Sequence, residues 1–395
     1  MATNTNNRAT GTRSTSAQRS ASAQRSVNAA RARRQKAKKR RRTILLAFEI
    51  VLIALLIGAF IIILKTTTET EGPKMIKFGD DPVDIGIDPE VVQQIEAAEE
   101  NGKGYMNIAL FGVDARSDSE LLKGSRSDSI MIASINMETG DIKLCSVYRD
   151  TYLNLCGNNG SEYRKCNAAY SYGGAEQAIR MLNKNLDMNI EHFVTVGYKG
   201  LRDVIDGLGG IYLDIDEAEI KHINNYQITI CDEVTKGSYT PVTKTGYQKV
   251  DGLQAAAYCR IRYTKGDDFA RAGRQREVIK AIEEQAKQAS FDTLQKVFNK
   301  AIDNVYTNIE TDTMIDLMKN ITKYKIVEDD GFPQEDMRTV GNIGAKGSSV
   351  VPIGLEENVL WLHQFFFDDY NYNVSQTVKD YGREIKSQTS SYLNN

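Results

Sequence analysis

Two apolar segments, YMNIALFGV at 105–113 and SIMIASIN at 129–136, decide the fold class of this chain. Each is an almost continuous run of apolar residues, which is typical of strands buried on both faces of a sheet. A third segment, DIKLCSVYRD at 141–150, follows the turn sequence METG and predicts a hairpin partner for the second strand. Because the strands of a hairpin run antiparallel, the predicted sheet is mixed.

Helical and strand patterns alternate after these segments. We predict a helix over 174–186, a strand around 192–198, a helix near 199–208 that its glycines end, and a strand at 211–216. Another strand is predicted within YCRIRY at 258–263, and a last helix at 356–367. The pattern predicts an α/β fold, a three-layer α/β/α domain with a central mixed sheet.

The N-terminal region belongs to a different environment. Residues 1–42 carry thirteen Lys or Arg and no Asp or Glu, so the remaining residues carry a net charge of −15 within a total of −2. Residues 44–64 form a run of 21 residues with one charge, Glu49, and about 20 apolar residues span a bilayer as a helix. Since basic residues crowd its N-terminal side, we expect a single uncleaved anchor with the N-terminus in the cytoplasm.

These observations divide the chain into five parts. They are a disordered basic cytoplasmic tail at 1–42, a transmembrane signal anchor at 43–64, a stalk at 65–103, an extracellular α/β domain at 104–367 and a flexible C-terminal tail at 368–395. The basic tail adjoins the membrane, where anionic lipid headgroups account for its charge. We therefore expect a membrane partner and no nucleic acid.

Several common classes of enzyme are disfavoured. The chain has three histidines, none beside a recognisable nucleophile, and no G-x-S-x-G, Walker P-loop or G-x-G-x-x-G after a strand. The five cysteines have no zinc-site spacing. Cys145 and Cys259 fit buried apolar positions, and Cys156 and Cys166 flank a loop rich in Asn and Gly that is compatible with a disulfide.

The segment RIRYTKGDDFARAGRQR at 260–276 concentrates five arginines. If YCRIRY is a strand, Arg260 and Arg262 project from the same face. Asp268 is then the N-cap of a helix in which Arg271 and Gln275 are neighbours one turn apart. Arginine and helix N-termini both favour anions, so this combination predicts a phosphate or pyrophosphate site.

The same periodicity leaves two arginines outside that site. Arg274 and Arg276 point away from the shared face of the helix, and we expect them to form surface ion pairs of small energetic value.

Acidic and basic residues also follow the predicted strands. Asp114 ends the first strand, Asp128 precedes the second with Arg126 close by, and Arg149 and Asp150 end the third. Carboxylates at strand ends can converge in space, and two with open coordination positions suit Mg²⁺ or Mn²⁺ bound together with substrate phosphates.

The ordered segments NIALFGVDAR, RSDSIMIASIN, VYRDTY, KCNAAYSYGG, GLRDVIDGLGGIYLDI, DGLQAAAYCRIRY and DFARAGRQREVI resemble the LytR-CpsA-Psr family over about 106–283. The resemblance implies a bacterial phosphotransferase that moves an anionic glycopolymer, such as a teichoic acid or capsular polysaccharide, from a polyprenyl pyrophosphate carrier onto peptidoglycan. By position, it implies that Asp114 and Asp128 hold the metal and that Arg149 lies nearest the transferring phosphorus. The implied pyrophosphate ligands are Arg149, Arg260, Arg262, Arg271 and Gln275, with Arg126 and Asp268 in supporting positions.

Two questions about the reaction stay open at this point. Either Asp268 or Asp114 could accept the proton of the attacking hydroxyl, and the polyprenyl tail needs an apolar groove, which we expect the helices at 174–208 to line. A pyrophosphatase side activity is compatible with the same site. The alternatives are a non-catalytic receptor for the lipid or glycopolymer and a membrane-bound regulator of envelope genes that acts through its basic tail.

Overall fold

A computed structural model describes the predicted catalytic domain in most of its length. The described residues are 74–75, 85–100, 104–115, 118–158, 160–232, 237–262, 264–290, 293, 296–297, 300, 304–310, 313 and 324–393. The predicted cytoplasmic tail and transmembrane segment lie outside these ranges. No helix within them is both long and apolar enough to cross a membrane.

The described residues form the following elements. The strands are β1 (Lys74–Met75), β2 (Tyr105–Val113), β3 (Ser127–Asn136), β4 (Asp141–Val147), β5 (Tyr152–Asn154), β6 (Tyr163–Lys165), β7 (Ile190–Gly197), β8 (Ile211–Ile215), β9 (Gly246–Val250), β10 (Val305–Thr307), β11 (Lys325–Phe332), β12 (Arg338–Asn342) and β13 (Ser348–Pro352). The helices with described bounds are α1 (Pro89–Glu100), α2 (Asp118–Leu122), α3 (Ala168–Leu186), α4 (Tyr198–Gly207), α5 (Glu217–Ile230), α6 (Gly252–Tyr258), α7 (Asp267–Gln288), α8 (Leu355–Phe367) and α9 (Gln376–Leu393), and two 3₁₀ turns cover Glu335–Met337 and Gly344–Lys346.

Seven strands form the central sheet in the order β1-β10-β7-β2-β3-β4-β11. β2 pairs antiparallel with β3 and parallel with β7, while β3 pairs antiparallel with β4. The α/β fold with a central mixed sheet is therefore as predicted. Its hairpin β3–β4 is the one that the METG turn indicated.

Apolar side chains on both faces of the sheet explain the continuous apolar runs. On one face, Ala109 and Phe111 of β2 pack in a core with residues of α3 such as Leu182. On the other face, Ile108 and Leu144 belong to a separate cluster, which Ile279 of α7 contacts. Because each strand alternates between two buried faces, polar alternation is missing from its sequence.

A second hydrophobic unit carries part of the site. β8 forms as predicted, but it pairs with β9 in a two-stranded sheet outside the central one. Its buried residues Ile211 and Leu213 pack with Ile223 of α5, Ala256 of α6 and Ile282 of α7. The chain after β7 therefore builds a separate layer, from which Leu201 of α4 and Ile279 of α7 face the sheet.

The strand predicted at 258–263 is wrong. The helix α6 ends at Tyr258, and a turn follows in which the amide of Ile261 donates to the carbonyl of Tyr258. The helix begins with a capping box. The Asp251 side chain accepts a hydrogen bond from the backbone N–H of Gln254, and the Gln254 side chain accepts one from the backbone N–H of Asp251. This box and the following run of alanines favour a helix over a strand.

The two ends of the predicted domain also differ from expectation. The C-terminal tail contains α9, whose residues Val378 and Ile385 are almost fully buried. Part of the predicted stalk also packs on the core, since Ile87 and Val91 are buried there. All five cysteines are free and buried, so no disulfide joins Cys156 and Cys166.

Candidate active site

The strand topology brings the predicted acidic and basic residues to one edge of the central sheet. Val113 at the end of β2 pairs with Ser127 at the start of β3, so Asp114 and Asp128 belong to the same edge. β4 runs antiparallel to β3, and therefore its end, followed by Arg149, also reaches this edge. Arg149 Nη1 forms a short ion pair with Asp128 Oδ1. The convergence predicted for these strand ends is confirmed.

Asp268 is the centre of the arginine cluster. The prediction that Asp268 is the N-cap of α7 is wrong: Gly266 is the N-cap, and Asp268 is the second residue of the helix. Its Oδ1 atom is 2.9 Å from Nη2 of Arg271, 3.4 Å from Nε of Arg262 and 3.6 Å from Nε of Arg149. Three guanidinium groups from separate parts of the chain thus share one carboxylate.

Arg260 occupies the neighbouring position beside Asp114. Its Nη2 atom is 3.2 Å from Asp114 Oδ2, and its guanidinium carbon lies 5.0 Å from the ring of Tyr198 and 5.3 Å from the ring of Tyr226. These two rings, which come from α4 and α5, were not predicted as site residues. Cation–π contacts of this kind orient a guanidinium group without neutralising its charge.

The remaining predicted ligands differ in how closely they join the cluster. Gln275 lies two turns into α7, and its side-chain amide donates to the carbonyl of Cys259 at 3.4 Å. Arg126 is exposed at the entrance to β3, and no ion pair or hydrogen bond links it to another described residue. Gln275 is therefore held in place within the site by this hydrogen bond, whereas Arg126 is exposed at the margin of the site.

Arg274 and Arg276 lie outside the cluster, but they are not surface decorations. Arg274 is 8% exposed, and its Nε donates to Glu219 Oε1 at 2.7 Å. Arg276 donates to Asp329 Oδ1 at 2.7 Å and to the Ser146 hydroxyl at 2.8 Å. The predicted surface ion pairs are thus wrong: both arginines join α7 to distant elements, which the local sequence does not reveal.

Four buried nitrogen atoms of the cluster have no hydrogen-bond acceptor among the described residues, although two of them lie within ion-pair distance of Asp268 Oδ1. They are Nε of Arg149, Arg262 and Arg271 and Nη1 of Arg260. Buried N–H groups are almost always hydrogen-bonded in folded proteins, so four together in one place indicate a site that binds several acceptor atoms. Phosphate oxygens match such donors in charge and in geometry.

Burial shifts the protonation of the central groups. It raises the pKa of the Asp268 carboxyl, although Arg271 and Arg149 act in the opposite direction. It also lowers the pKa of Arg271, whereas for Arg149 the burial effect is outweighed by Asp128 and Asp268, and the pKa is raised. Asp268 therefore binds a proton more readily than an exposed aspartate does, while arginine stays charged at neutral pH.

An apolar cavity of about 890 Å³, including its open mouth, lies between the sheet and the layer of α4 and α7. Leu110, Met131 and Val196 line it from the sheet, and Leu201 and Ile279 line it from the helices. Asp128 and Gln275 also line it, so the cavity adjoins the arginine cluster. The expected groove is lined by α4 but not by α3, because α3 packs on the opposite face of the sheet.

The two carboxylates predicted to bind a metal suit a cation that keeps other ligands. Asp114 and Asp128 are 29% and 28% exposed, so part of each carboxylate remains accessible. Within the described ranges, no group of three or more His, Cys, Asp or Glu could hold a metal ion. A pair of carboxylates fits Mg²⁺, which is often bound through one or two carboxylates together with water and substrate phosphates.

Comparison with known proteins finds relatives of this chain. Over 235 residues the chain is 30% identical to Biofilm regulatory protein A of Streptococcus mutans, a match that covers 56% of each protein. Over 232 residues it is 30% identical to Polyisoprenyl-teichoic acid--peptidoglycan teichoic acid transferase TagU of Bacillus mycoides, covering 57% of this chain and 67% of that one. The match thus spans little more than half the length of the first relative.

A solved structure and a family profile also match this chain. The crystal structure of TagV from Bacillus subtilis superposes with a TM-score of 0.52 at 26% identity, covering 67% of this chain and 98% of that one. The sequence profile of the LytR_cpsA_psr family matches residues 76–351, which include the predicted site residues from Asp114 to Gln275. The resemblance seen in the sequence motifs is confirmed. The chain belongs to the LytR_cpsA_psr family.

Proposed function

We propose that this protein is a phosphotransferase that moves an anionic glycopolymer, a teichoic acid-like polymer or a capsular polysaccharide, from a polyprenyl pyrophosphate carrier onto peptidoglycan. The observation that carries the proposal is the set of four buried arginine nitrogens that have no hydrogen-bond acceptor in the described part of the chain and that lie beside an apolar cavity. A pyrophosphate supplies the acceptor oxygens, and a polyprenyl chain fits an apolar lining. The relatives TagU and TagV, which are named as teichoic acid transferases, support this proposal.

The arginines bind and orient the donor in this proposal. Arg149, Arg262 and Arg271 surround Asp268, so a pyrophosphate oxygen near that carboxylate meets all three guanidinium groups. Arg260 and Gln275 bind from the side of the cavity, and the exposed Arg126 supports the outer part of the donor. Charge neutralisation and alignment are the main needs of phosphoryl transfer.

Asp268 is the proposed general base. A hydroxyl of peptidoglycan attacks the sugar-linked phosphorus, a new P–O bond forms, and the bond from that phosphorus to the oxygen of polyprenyl phosphate breaks. The hydroxyl proton moves to Asp268, whose buried carboxyl has a raised pKa and lies 3.6 Å from Arg149. Asp114 is less suited to this role because it is a member of the proposed metal pair.

Asp114 and Asp128 are proposed to hold Mg²⁺ or Mn²⁺. When bound, such a cation offsets negative charge on the phosphates. Both carboxylates form ion pairs with arginines of the site, Asp114 with Arg260 and Asp128 with Arg149. A cation held by these two carboxylates would weaken their attraction for Arg260 and Arg149, whose guanidinium groups would then bind phosphate oxygens.

The remaining part of the proposal concerns location. A single transmembrane helix at 43–64, with residues 1–42 in the cytoplasm and the catalytic domain outside the bacterial cell, brings the site to the membrane that contains the lipid carrier. This topology rests on the charge and hydropathy of the N-terminal sequence.

The test uses the full-length chain in lipid vesicles with a polyprenyl pyrophosphate glycan, Mg²⁺ and peptidoglycan. We expect glycan to become attached to peptidoglycan, Arg149→Ala to abolish the transfer, and Arg383→Ala to retain it, because Arg383 is an exposed residue of α9. Release of polyprenyl phosphate without an acceptor would reveal the pyrophosphatase side activity. Donor binding with neither transfer nor cleavage would contradict the proposal in favour of a receptor.

A further inference from the structure

We propose that Arg338 is a positioning residue for the transfer reaction. It clamps Tyr148 against Phe269 and thereby holds Arg149 and Asp268 in their observed arrangement. This inference rests on the proposed function for its catalytic consequence, whereas the clamp itself is a property of the fold.

The rings that Arg338 contacts are sequence neighbours of the two proposed catalytic residues. Tyr148 immediately precedes Arg149 after β4, and Phe269 immediately follows Asp268 in the first turn of α7. The two rings meet edge to face, with their centroids 4.6 Å apart. The ion pair between Arg149 and Asp268 is therefore accompanied by an aromatic contact between their sequence neighbours, Tyr148 and Phe269.

The guanidinium group of Arg338 covers both rings at once. Its central carbon lies 4.0 Å from the centroid of Phe269 and 4.9 Å from that of Tyr148. Nη1 also donates to the Pro333 carbonyl at 2.9 Å and to the Tyr148 hydroxyl at 3.3 Å. Among the described residues, no carboxylate forms an ion pair with Arg338. Its guanidinium group therefore interacts with the two rings and with these two oxygens.

One side of this clamp is rigid. Tyr148 is 7% exposed, and its amide donates to the carbonyl of Phe332 in β11 at 2.9 Å. Its hydroxyl oxygen lies 2.1 Å from the point that a Cβ atom on Gly331 would occupy, so only glycine permits this close approach. Tyr148 is thus fixed to the central sheet independently of Arg338.

The other side of the clamp depends on tertiary contacts. The N-cap of α7 is Gly266, with φ at 97°, and no side chain caps the helix. The first turn, which contains Asp268 and Phe269, therefore lacks the side-chain cap that commonly stabilises a helix start. Loss of Arg338 would loosen this turn, and a displacement of about 1 Å at a reacting group can reduce a rate about a hundredfold.

The experiment compares variants of the full-length chain. Arg338→Ala removes the clamp, Arg338→Lys keeps a cation over the rings, and Arg338→Met keeps much of the side-chain volume without charge. Arg276→Ala is the matched control, because Arg276 also joins α7 to the sheet, through Asp329 of β11, but makes no cation–π contact with either ring in the described structure. Hydrogen exchange of the amides at 267–271 and the kcat and KM of transfer are measured for each.

We expect Arg338→Ala to speed exchange in the first turn of α7 about tenfold, as loss of the stronger cation–π contacts would, and to lower kcat at least as much with little change in donor KM. Arg338→Lys should recover most of both losses and Arg338→Met neither. An equal pattern in Arg276→Ala, or wild-type behaviour of Arg338→Met, would overturn the inference. If the wild-type chain transfers nothing, the proposed function fails, and the exchange measurements still decide whether the clamp exists.

Discussion

Replacement of Asp268 by asparagine tests the arginine cluster and the proposed base together. The change keeps the size of the side chain and one acceptor oxygen, but it removes the negative charge that Arg149, Arg262 and Arg271 share. We expect lower stability, because three guanidinium groups remain close together without their common counter-charge. We also expect transfer to fall by about 10² to 10⁴, the usual contribution of a positioned general base.

The size of the stability loss follows from the burial of the partners. Removal of one member of a buried ion pair typically costs about 3–5 kcal/mol. Arg271 is 5% exposed, but Asp268 is 14% and Arg262 35% exposed, so water screens part of the effect. Because asparagine also keeps one acceptor, we expect the free energy of unfolding to fall by about 2–3 kcal/mol.

Urea unfolding with and without inorganic pyrophosphate measures this effect. A ligand at 100 times its Kd stabilises a protein by about 2.7 kcal/mol, and the stabilisation should be larger in the variant, whose arginines lack their carboxylate. The matched control is Asp267→Asn, since Asp267 is exposed and its φ of 43° is tolerated by asparagine. A loss of unfolding free energy below about 0.5 kcal/mol, the usual range of surface substitutions, would contradict this prediction. So would a stability difference between wild type and Asp268→Asn that pyrophosphate does not reduce.

Three further predictions concern the core, the pH dependence and the cavity. Arg274→Ala should lower the free energy of unfolding by about 3–5 kcal/mol in urea without changing donor KM, because it leaves the buried Glu219 without its guanidinium partner. Burial raises the pKa of Asp187 to about 6, above the value of an unfolded carboxyl, so the protonated form stabilises the native state. Stability should therefore fall by roughly 3 kcal/mol as the pH rises through about 6, and Asp187→Asn should remove this fall in a pH series of unfolding curves. Leu201→Trp should fill part of the cavity and raise donor KM in steady-state kinetics, whereas Leu360→Trp, at an exposed position of α8, should not.

The strands of the central sheet were predictable because their apolar runs report burial on both faces. β2, β3, β4 and β7 lie where the sequence indicated, and the hairpin β3–β4 made the sheet mixed. The helix α6 was not predicted because its capping box at Asp251 is followed by aromatic and alternating residues that also fit a strand. The helix α9 was missed because its buried positions, such as Val378 and Ile385, are separated by polar residues.

The site was predicted better than the local structure that forms it. Arg260 and Arg262 were assigned to a strand, yet the turn after α6 also directs them toward the ends of the central strands. The partners of Arg274 and Arg276 could not be predicted, since Glu219 and Asp329 are about fifty residues away and only tertiary packing brings them together. The same holds for Tyr198 beside Arg260, because a single aromatic residue after a strand has no distinctive local pattern.

The fate of each donor phosphorus tests the central claim most directly. Two donors are prepared, one with ³²P at the sugar-linked phosphorus and one with ³²P at the lipid-linked phosphorus, and each is incubated with the full-length chain in vesicles, Mg²⁺ and peptidoglycan. We predict that the first label becomes attached to peptidoglycan while the second stays with polyprenyl phosphate. Appearance of the sugar-linked label only in unattached products, or its retention in intact donor, would contradict the proposed phosphotransferase.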